Sequence, residues 1–484
     1  FLLSDHSFLT LKNLEVQGKI TMKLKHLSTA MILATLPATG VFAAALDRSG
    51  QSMSAFLQPG NYFEAGLSVL DPTVKGQEAG TSATTRKIGD MGDDYYFPSA
   101  ALKLQLTDNI SFGLLYDQPF GADAQYTGNN VFVSNPGSDT VLPVERTNAL
   151  GQKEVSDYLT SPTGQQQIAG LVQGGMTPAQ AQAAVTQGFL NSAPVKALQK
   201  GLADANASLG TGNTGVEVDT QNISLVFGYQ PIKNVNLYAG GVYQTVKGNV
   251  SLRGTAYSIY NGYDADIKET GGAGWLVGAA YQIPEIALKA SVTYRSEIDH
   301  KVNINEKFAV TSALTSNPAV LAGLLGISPA EALAQAQALE EGSAGKKTKI
   351  TTPQSVNLDF QTGIMANTVA FANVRWVNWK DFAIQPYKFG LLSKQIGGLV
   401  GRPNGFNLVE YSDDQWSVNA GVGRKLNDQW AGNVSVGWDS GAGNPVTTLG
   451  PTEGYWNVGL GVQYSPTPAT FIAGGVKYFW LGDA

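Results

Sequence analysis

The sequence lacks cysteine and carries little charge, and each shortage excludes a class of protein. None of its 484 residues is a cysteine, so disulfide scaffolds and thiolate metal sites are excluded. Charged residues make up only 14% and the formal net charge is −6, which gives no reason to expect a nucleic-acid partner.

Catalytic motifs are equally scarce. After residue 43 the only histidine is His300, and neither a histidine pair with metal spacing nor a Gly-x-Ser-x-Gly elbow occurs. Gly-rich stretches such as Gly271–Gly274 open no helix, so they do not form phosphate loops. A Ser–His pair on His300 is the one enzymatic interpretation left open. We therefore predict that the protein is not an enzyme and has no cofactor and no metal.

Long apolar runs are missing except near the N-terminus. Met22–Lys25 is a basic start, residues 27–42 are mostly apolar, and small residues follow at 43–45. This pattern is typical of a secretory signal peptide, although a single transmembrane anchor would share the apolar segment. We predict a signal peptide over 22–43, preceded by an over-extended N-terminus over 1–21. No other stretch reaches the roughly 18–20 apolar residues that a spanning helix needs.

Apolar residues recur at every second position in several segments. The clearest runs lie within 415–423, 430–438 and 456–464, where Gly, Ser and Asn fill the alternate positions. Successive strand residues face opposite sides, so each strand has one apolar and one polar face. A soluble sandwich has the same alternation with its apolar face inward. Long strands, aromatic residues near strand ends and a small polar face favour a transmembrane barrel.

Short connections separate these strands. They occur at 107–109, 230–234, 283–285, 365–367, 426–428 and 465–468, and the connections between them are mostly longer. Six hairpins give twelve strands, and a strand from about Tyr62 to Val74 makes thirteen. Because an antiparallel barrel normally has an even count, we predict about 14 strands over residues 59–484, with a last strand truncated after Ala484.

Two long extracellular loops, about 121–215 and 309–347, are predicted to carry helices. Thr177–Gln180 is a capping box with Pro at the first helical position, and Ser328–Glu331 repeats this pattern. The apolar residues of these loops either pack together as a cap or form a groove for hydrophobic ligands. The candidate groove residues are Leu171, Val172, Met176, Phe189 and Leu190 in the first loop and Leu321, Leu324, Leu325 and Ile327 in the second.

Several motifs stand in the order seen in one family of outer-membrane transporters. They are Leu70–Gly76, Pro119–Tyr126, Leu288–Ser296 with its Thr-Tyr-Arg-Ser end, Asn378–Phe382, and Trp438–Ser440 with Pro445. Together they resemble the FadL-type family, which transports long-chain fatty acids and other hydrophobic compounds. The resemblance runs from about Asp47 to the C-terminus.

The resemblance implies a fourteen-stranded barrel with an N-terminal hatch inside. It also implies an outer hydrophobic groove, a tighter pocket, and release through a lateral opening at an inward kink of the third strand. The kink would correspond to Asp117, Gln118, Pro119 and Gly121, since Pro cannot donate to a ladder, although Pro could also simply end the strand.

The predicted plug departs from the family pattern. It covers only residues 44–58, carries Asp47, Arg48, Phe56 and Leu57, and lacks the family's Asn-Pro-Ala motif. The resemblance therefore does not carry over a hatch-driven release, and a more open lumen is an alternative.

Cationic residues near strand ends are candidates for a carboxylate. We consider Lys247, Arg253 and Lys388, each of which could instead face solvent or lipopolysaccharide. Arg295 is predicted to form an ion pair with Glu297 or Asp299 in the lumen.

These features together predict a monomeric, multi-pass barrel of the Gram-negative outer membrane. It would transport long-chain fatty acids or similar hydrophobic molecules passively, in contact with outer-membrane lipid and lipopolysaccharide. Alternatives are aromatic-hydrocarbon uptake, a surface or adhesin barrel without transport, and a general porin.

Overall fold

The computed structural model describes residues 2–5, 45–79, 82, 84–135, 137, 139–140, 144–309, 318, 322, 327–341, 345–398, 401–444 and 446–482. The predicted signal peptide, 22–43, lies outside the described residues.

The strands fall into a first and a second half of the chain. The first half contains β1 (Leu2–Asp5), β2 (Asn61–Leu70), β3 (Gly76–Gln77), β4 (Lys87–Ile88), β5 (Tyr95–Gln105), β6 (Ile110–Asp117), β7 (Gly121–Gln125), β8 (Val133–Ser134), β9 (Gly212–Asn213), β10 (Gly215–Ile232) and β11 (Val235–Leu252). The second half contains β12 (Tyr263–Ile283), β13 (Leu288–Arg295), β14 (Ile298–Val302), β15 (Ile304–Phe308), β16 (Thr348–Thr352), β17 (Ser355–Met365), β18 (Thr368–Val377), β19 (Ala383–Ile384), β20 (Val409–Glu410), β21 (Gln415–Lys425), β22 (Trp430–Asp439), β23 (Tyr455–Thr467) and β24 (Thr470–Leu481).

The helices lie between strands. They are α1 (Val144–Thr160), α2 (Pro162–Gln173), α3 (Pro178–Leu190), α4 (Ala193–Ala207), α5 (Pro329–Glu341) and α6 (Tyr387–Gly397), with short 3-10 segments at Thr255–Tyr260 and Pro284–Ile286. None of these helices is both long and apolar enough to cross a membrane.

The main sheet is antiparallel and closes on itself. Its order is β11-β10-β6-β5-β2-β1-β24-β23-β22-β21-β18-β17-β13-β12, and β11 also pairs with β12. Sixteen strands belong to this sheet. Along β10, β7 takes the place of β6 where β6 ends, and along β12, β15 takes the place of β13. The described wall therefore has fourteen strand positions. Thirteen lie after residue 60, as predicted. The fourteenth position, between β2 and β24, is held by β1.

The wall is apolar outside and polar inside, which is the reverse of a soluble sandwich. On β23, Val458, Leu460 and Val462 are 43–57% exposed, whereas the alternate Asn457 and Gln463 are buried. The same alternation recurs on β10, β17 and β22. Burial of the polar face and exposure of the apolar face are expected only where the outer surface contacts lipid. The predicted transmembrane barrel is confirmed.

The two predicted helices are also confirmed. Thr177 accepts from the backbone N–H of Gln180, whose side chain returns a bond, so the capping box opens α3 as expected. Ser328 and Glu331 exchange the same bonds at the start of α5.

The wall is interrupted at two places. Pairing of β10 with β6 ends at Asn222↔Asp117 and resumes with β7 at Asp219↔Gly121, so residues 118–120 face only two residues of β10. Similarly, the chain leaves the wall after β13, and β14 pairs with β16 in a separate two-stranded sheet. The first interruption coincides with the predicted kink.

Candidate functional site

Residues 45–58 form a plug inside the barrel, fastened to the inner wall by a polar network. The Asp47 carboxylate receives two bonds from the Arg375 guanidinium, at 2.8 and 2.9 Å, and both side chains are almost completely buried. Gln51 accepts from Arg375 and from the Ser355 hydroxyl, and Asn357 donates to the Gly50 carbonyl at 2.8 Å. Since a buried charge needs a partner, the Asp47–Arg375 pair fixes the plug to β18.

The other predicted plug residues are buried as well. Phe56 is fully buried against Tyr238, with ring centroids 5.6 Å apart. It occupies space left by Gly113, where a Cβ would lie 2.5 Å from the Phe56 ring. The Arg48 guanidinium lies 5.4 Å from the centre of the Tyr95 ring. Burial lowers the pKa of Arg48, against the opposing effects of Tyr95, Tyr411 and Asp47.

The kink bends inward and contacts the plug. The Pro119 carbonyl accepts from the Arg48 N–H at 2.7 Å, and the Gly121 N–H donates to the Leu46 carbonyl at 2.8 Å. Phe120 is 2% exposed and packs on Trp379, which follows β18 on another part of the wall. Pro119 therefore does not simply end a strand, because the chain rejoins β10 at Gly121 after turning its Phe120 side chain inward.

A gap in the ladder lies beside the kink. Residues Tyr95–Ser99 of β5 have no ladder partner in β7 among the described residues, and we call this gap the β5–β7 window. A cavity of about 60 Å³ reaches the window from the lumen and is lined by Phe97, Pro98, Asp117 and plug serines. The Tyr95 hydroxyl spans the gap to Asp219 at 3.0 Å. The window therefore lies beside both the kink and the plug.

An aromatic cluster lies at the long-loop end of the barrel. It consists of Tyr260, Tyr263, Phe308, Phe389 and Phe406, with ring centroids 4.3–6.3 Å apart. Burial raises the pKa of Tyr260, and the neighbouring Glu306 carboxylate adds to this effect.

Lys388 enters this aromatic cluster from the first turn of α6. It is 4% exposed, its ammonium lies 2.7 Å from the Glu340 carboxylate, and the Phe308 ring centre is 5.6 Å away. The Glu306 carboxylate accepts hydrogen bonds from the backbone N–H groups of Lys388 and Phe389. These groups lie in the first turn of α6, and the N-terminus of a helix stabilises an anion. Lys388 is therefore buried among aromatic rings and paired with Glu340.

The other predicted cations are engaged at strand ends. Arg253 donates two bonds to Asp264 and further bonds to the carbonyls of Leu252 and Tyr263. Lys247 is half exposed and lies 3.6 Å from Asp219. Arg253 and Lys247 are therefore held in local ion pairs, and neither belongs to the aromatic cluster around Lys388.

The predicted groove residues that the structure describes do not line one common groove. Leu190 lines an open groove of about 450 Å³ between α1 and α3, whereas Phe189 stacks on Tyr158 at 4.2 Å. Leu171 is half buried, and Val172 and Met176 are exposed. Ile327 packs beside the main buried cluster. The remaining predicted groove residues, Leu321, Leu324 and Leu325, lie outside the described residues.

The prediction for Arg295 was wrong. Its guanidinium donates to the Gln51 carbonyl at 3.3 Å and contacts the Met53 sulfur at 3.2 Å, both in the plug. Asp299 instead pairs with Lys349 at 2.9 Å on the separate β14–β16 sheet. The chain leaves the wall directly after Arg295, so residues 297 and 299 lie beyond the point where β13 ends.

Comparisons with known proteins give likenesses in structure only. No family model and no curated protein matches the chain. The solved structure of a Pseudomonas aeruginosa FadL homologue is 13% identical, with a TM-score of 0.45 and coverage of 87% of this chain and 80% of that one. The toluene transporter TodX of Pseudomonas putida is 11% identical, with a TM-score of 0.48 and coverage of 92% and 91%. The toluene transporter TbuX of Ralstonia pickettii is 11% identical, with a TM-score of 0.45 and the same coverage.

Within the described residues, no group of three or more His, Cys, Asp or Glu side chains is placed to hold a metal ion.

The candidate site consists of the plug, the kink with its window, and the aromatic cluster around Lys388. The sequence pattern assigned no role to Arg375 or Tyr263, although each belongs to a strand next to a predicted short connection, nor to Trp379, although it lies in the quoted motif Asn378–Phe382.

Proposed function

We propose that this protein passively transports hydrophobic small molecules, long-chain fatty acids foremost, across a Gram-negative outer membrane. The observation that carries the proposal is the inward kink at residues 118–120, which contacts the plug and lies beside a window in the lipid-facing wall. A wall that only has to anchor a surface protein gains nothing from such a gap, since unpaired backbone costs several kcal/mol in hydrocarbon.

In this proposal, two regions carry out separate steps of transport. The aromatic cluster and the extracellular helices receive the apolar molecule, and the window releases it sideways into the membrane. Lys388 favours a substrate with a carboxylate, because a cation buried among aromatic rings suits an amphiphile with an anionic head. Uptake of uncharged aromatic hydrocarbons remains the second candidate and would use the same route without needing Lys388.

The pairing register of β6 and β7 against β10 offers a direct test of lateral release. Deleting Pro119 leaves two residues facing two residues of β10, which restores one-to-one pairing between Asp117 and Gly121. Uptake of labelled oleate should fall at least tenfold in a strain whose own copy of the gene is removed. The matched control is Pro119→Ala, which keeps the extra residue and should keep uptake.

Equal uptake by both variants would overturn lateral release. Normal uptake in the deletion strain without any copy, in the absence of a related transporter, would overturn fatty-acid transport altogether.

A further inference from the structure

The β14–β16 sheet lies at the second interruption of the wall, and only one of its faces is buried. On β14, Ile298, His300 and Val302 are buried. The His300 Nε2 atom lies 2.9 Å from the Gln244 Oε1 atom on the inward face of β11, and Val302 packs into the main buried cluster with Ile350 of β16. The alternate residues of both strands are exposed or half-exposed, so their face points away from the lumen.

Lysines collect on this outward face. Lys301 of β14 and Lys349 of β16 lie directly opposite each other in the pairing register. Lys347 precedes β16 two positions before Lys349, and the exposed alternate positions continue along β15 to Lys307. We call these four exposed residues the lysine face. Because like charges directly opposite each other destabilise a sheet, an anion bound between them would relieve the repulsion.

Nearby carboxylates neutralise only part of the lysine face. Asp299 lies 2.9 Å from Lys349. Asp264 of β12 receives two bonds from Arg253, and the exposed Glu297 makes no ion pair within the described residues. In the part of the chain that the structure describes, no carboxylate is within ion-pair distance of the other three lysines. The lysine face therefore carries positive charge that its own surroundings do not match.

The lysine face lies just beyond the outer aromatic girdle of the barrel. Trp376 and Trp416 are register partners at the long-loop ends of β18 and β21, and Trp275 of β12 packs on Tyr294 of β13 with ring centroids 5.2 Å apart. Such girdles mark the interface between membrane and water. Since β14 follows Tyr294 on the loop side, the lysine face lies at the level of head groups rather than of hydrocarbon.

This combination of charge and position fits a phosphate-bearing lipid. Lysine ammonium groups bind phosphate, and clusters of basic residues beside a membrane bind anionic head groups. In a strand pair, opposite positions and positions two apart lie within about 7 Å of one another, so several ammonium groups can reach one phosphorylated head group.

We infer that the lysine face binds the phosphate groups of a lipopolysaccharide molecule on the outside of the barrel. The inference rests on the outer-membrane location within the proposed function. It adds a lipid site that shares no residue with the plug, the kink, the window or the aromatic cluster around Lys388, so it lies outside the transport route.

Native mass spectrometry of the full chain in neutral detergent provides the test. The probes are a short-core lipopolysaccharide with its lipid A phosphates, the same glycolipid after enzymatic dephosphorylation, and inorganic phosphate as a competitor. The variant Lys301→Gln/Lys347→Gln/Lys349→Gln should weaken binding of the phosphorylated glycolipid about 10- to 100-fold, because each lysine near an anionic lipid surface contributes roughly fivefold. Binding of the dephosphorylated form should be weak in both proteins.

The matched control removes the same charge from exposed positions on α1 and α4. Lys153→Gln/Lys196→Gln/Lys200→Gln should bind the phosphorylated glycolipid as the unaltered chain does. The triple change of the lysine face to Arg should also retain binding, since the charge is kept. Heat-dependent gel mobility shows whether each variant is folded.

Three results would overturn the inference. They are equal binding of the two glycolipids by the unaltered chain, which depends on no variant, an equal loss in both Gln variants, and displacement by an excess of inorganic phosphate, which would identify a free anion as the ligand. Oleate uptake is measured separately and should not change in the lysine-face variant. Failed uptake by the unaltered chain with intact glycolipid binding would reject the proposed transport and leave the lipid site standing.

Discussion

The plug and the aromatic cluster are both buried, yet opposite chemistry holds them in place. The plug is fastened by directional bonds, in which Arg375 joins Asp47, Gln51 and Asn357. The aromatic cluster is held mainly by rings packed edge-to-face or tilted against one another, with a few hydrogen bonds such as Tyr260 to the Phe389 carbonyl and Tyr263 to Glu306. A polar network fails when one member is removed, whereas packed rings tolerate small changes.

This difference suits the two regions to different tasks. A surface that receives varied apolar molecules benefits from rings, which offer area without demanding one geometry. A plug must instead occupy one position, and the inward polar face of a barrel offers many donors and acceptors to specify it.

The largest effect is expected from Arg375→Ala. It leaves the Asp47 carboxylate buried without a partner, which should cost about 3–5 kcal/mol and displace the plug. We expect a higher single-channel conductance in planar bilayers and a lower unfolding midpoint in denaturant. Arg424→Ala, at an exposed position on β21, is the control. A conductance equal to that of the wild type would show that the plug does not depend on this pair.

Lys388→Met should have the next largest effect, on ligand affinity. The substitution removes the buried ammonium but keeps an apolar stem among the rings, and Glu340 is sufficiently exposed to be solvated. If Lys388 receives a carboxylate, dodecanoate affinity should fall about 10- to 100-fold, since bonds to charged groups contribute about 1.5–3 kcal/mol. Binding of methyl dodecanoate should not change.

The control for Lys388 is Lys394→Met, an exposed lysine on the same helix. Parallel titrations by calorimetry would compare the two. An identical loss for the acid and its ester would assign Lys388 a structural role in the aromatic cluster.

Tyr260→Phe should produce a smaller effect, on stability alone. The hydroxyl donates to the Phe389 carbonyl at 3.1 Å, and its removal leaves that buried carbonyl without this bond, at a cost of about 1–2 kcal/mol. The rings should remain packed, so ligand binding should be retained. Denaturant unfolding would measure the change against Tyr281→Phe on the lipid-facing surface. A loss as large as that of Arg375→Ala would contradict the contrast between the two regions.

The sequence predicted the wall far better than either of these regions. Alternation locates strands because it is local, and the turns at 107–109 and 426–428 are read from neighbouring residues. Capping boxes predicted α3 and α5 for the same reason. Helices α1 and α6 carry no such capping box, and neither was predicted.

The candidate site could not be predicted in the same way, because it depends on contacts between residues that are far apart in sequence. Asp47 and Arg375 are 328 positions apart, and only barrel closure brings them together. The sequence offered no partners for the predicted plug residues, because every inward strand position is a possible partner. Arg295 is an example. Its predicted partner was a residue close to it in sequence, whereas the structure shows a bond to the Gln51 carbonyl of the plug.

The smallest effect is expected at an outer loop that belongs to neither region. Burial would raise the pKa of the Glu78 carboxyl, but bonds from Thr84 and from the backbone N–H groups of Arg86 and Val131, with the Arg86 charge, lower it overall. A lowered folded pKa stabilises the loop above the ordinary value near 4.5, and this contribution is lost as the pH falls through the folded value. Glu78→Gln should therefore increase protease cleavage of the loop at pH 7, and the difference from the wild type should vanish in acid. Plug conductance and ligand affinity should stay unchanged, and a change in either would show that the loop is coupled to the lumen.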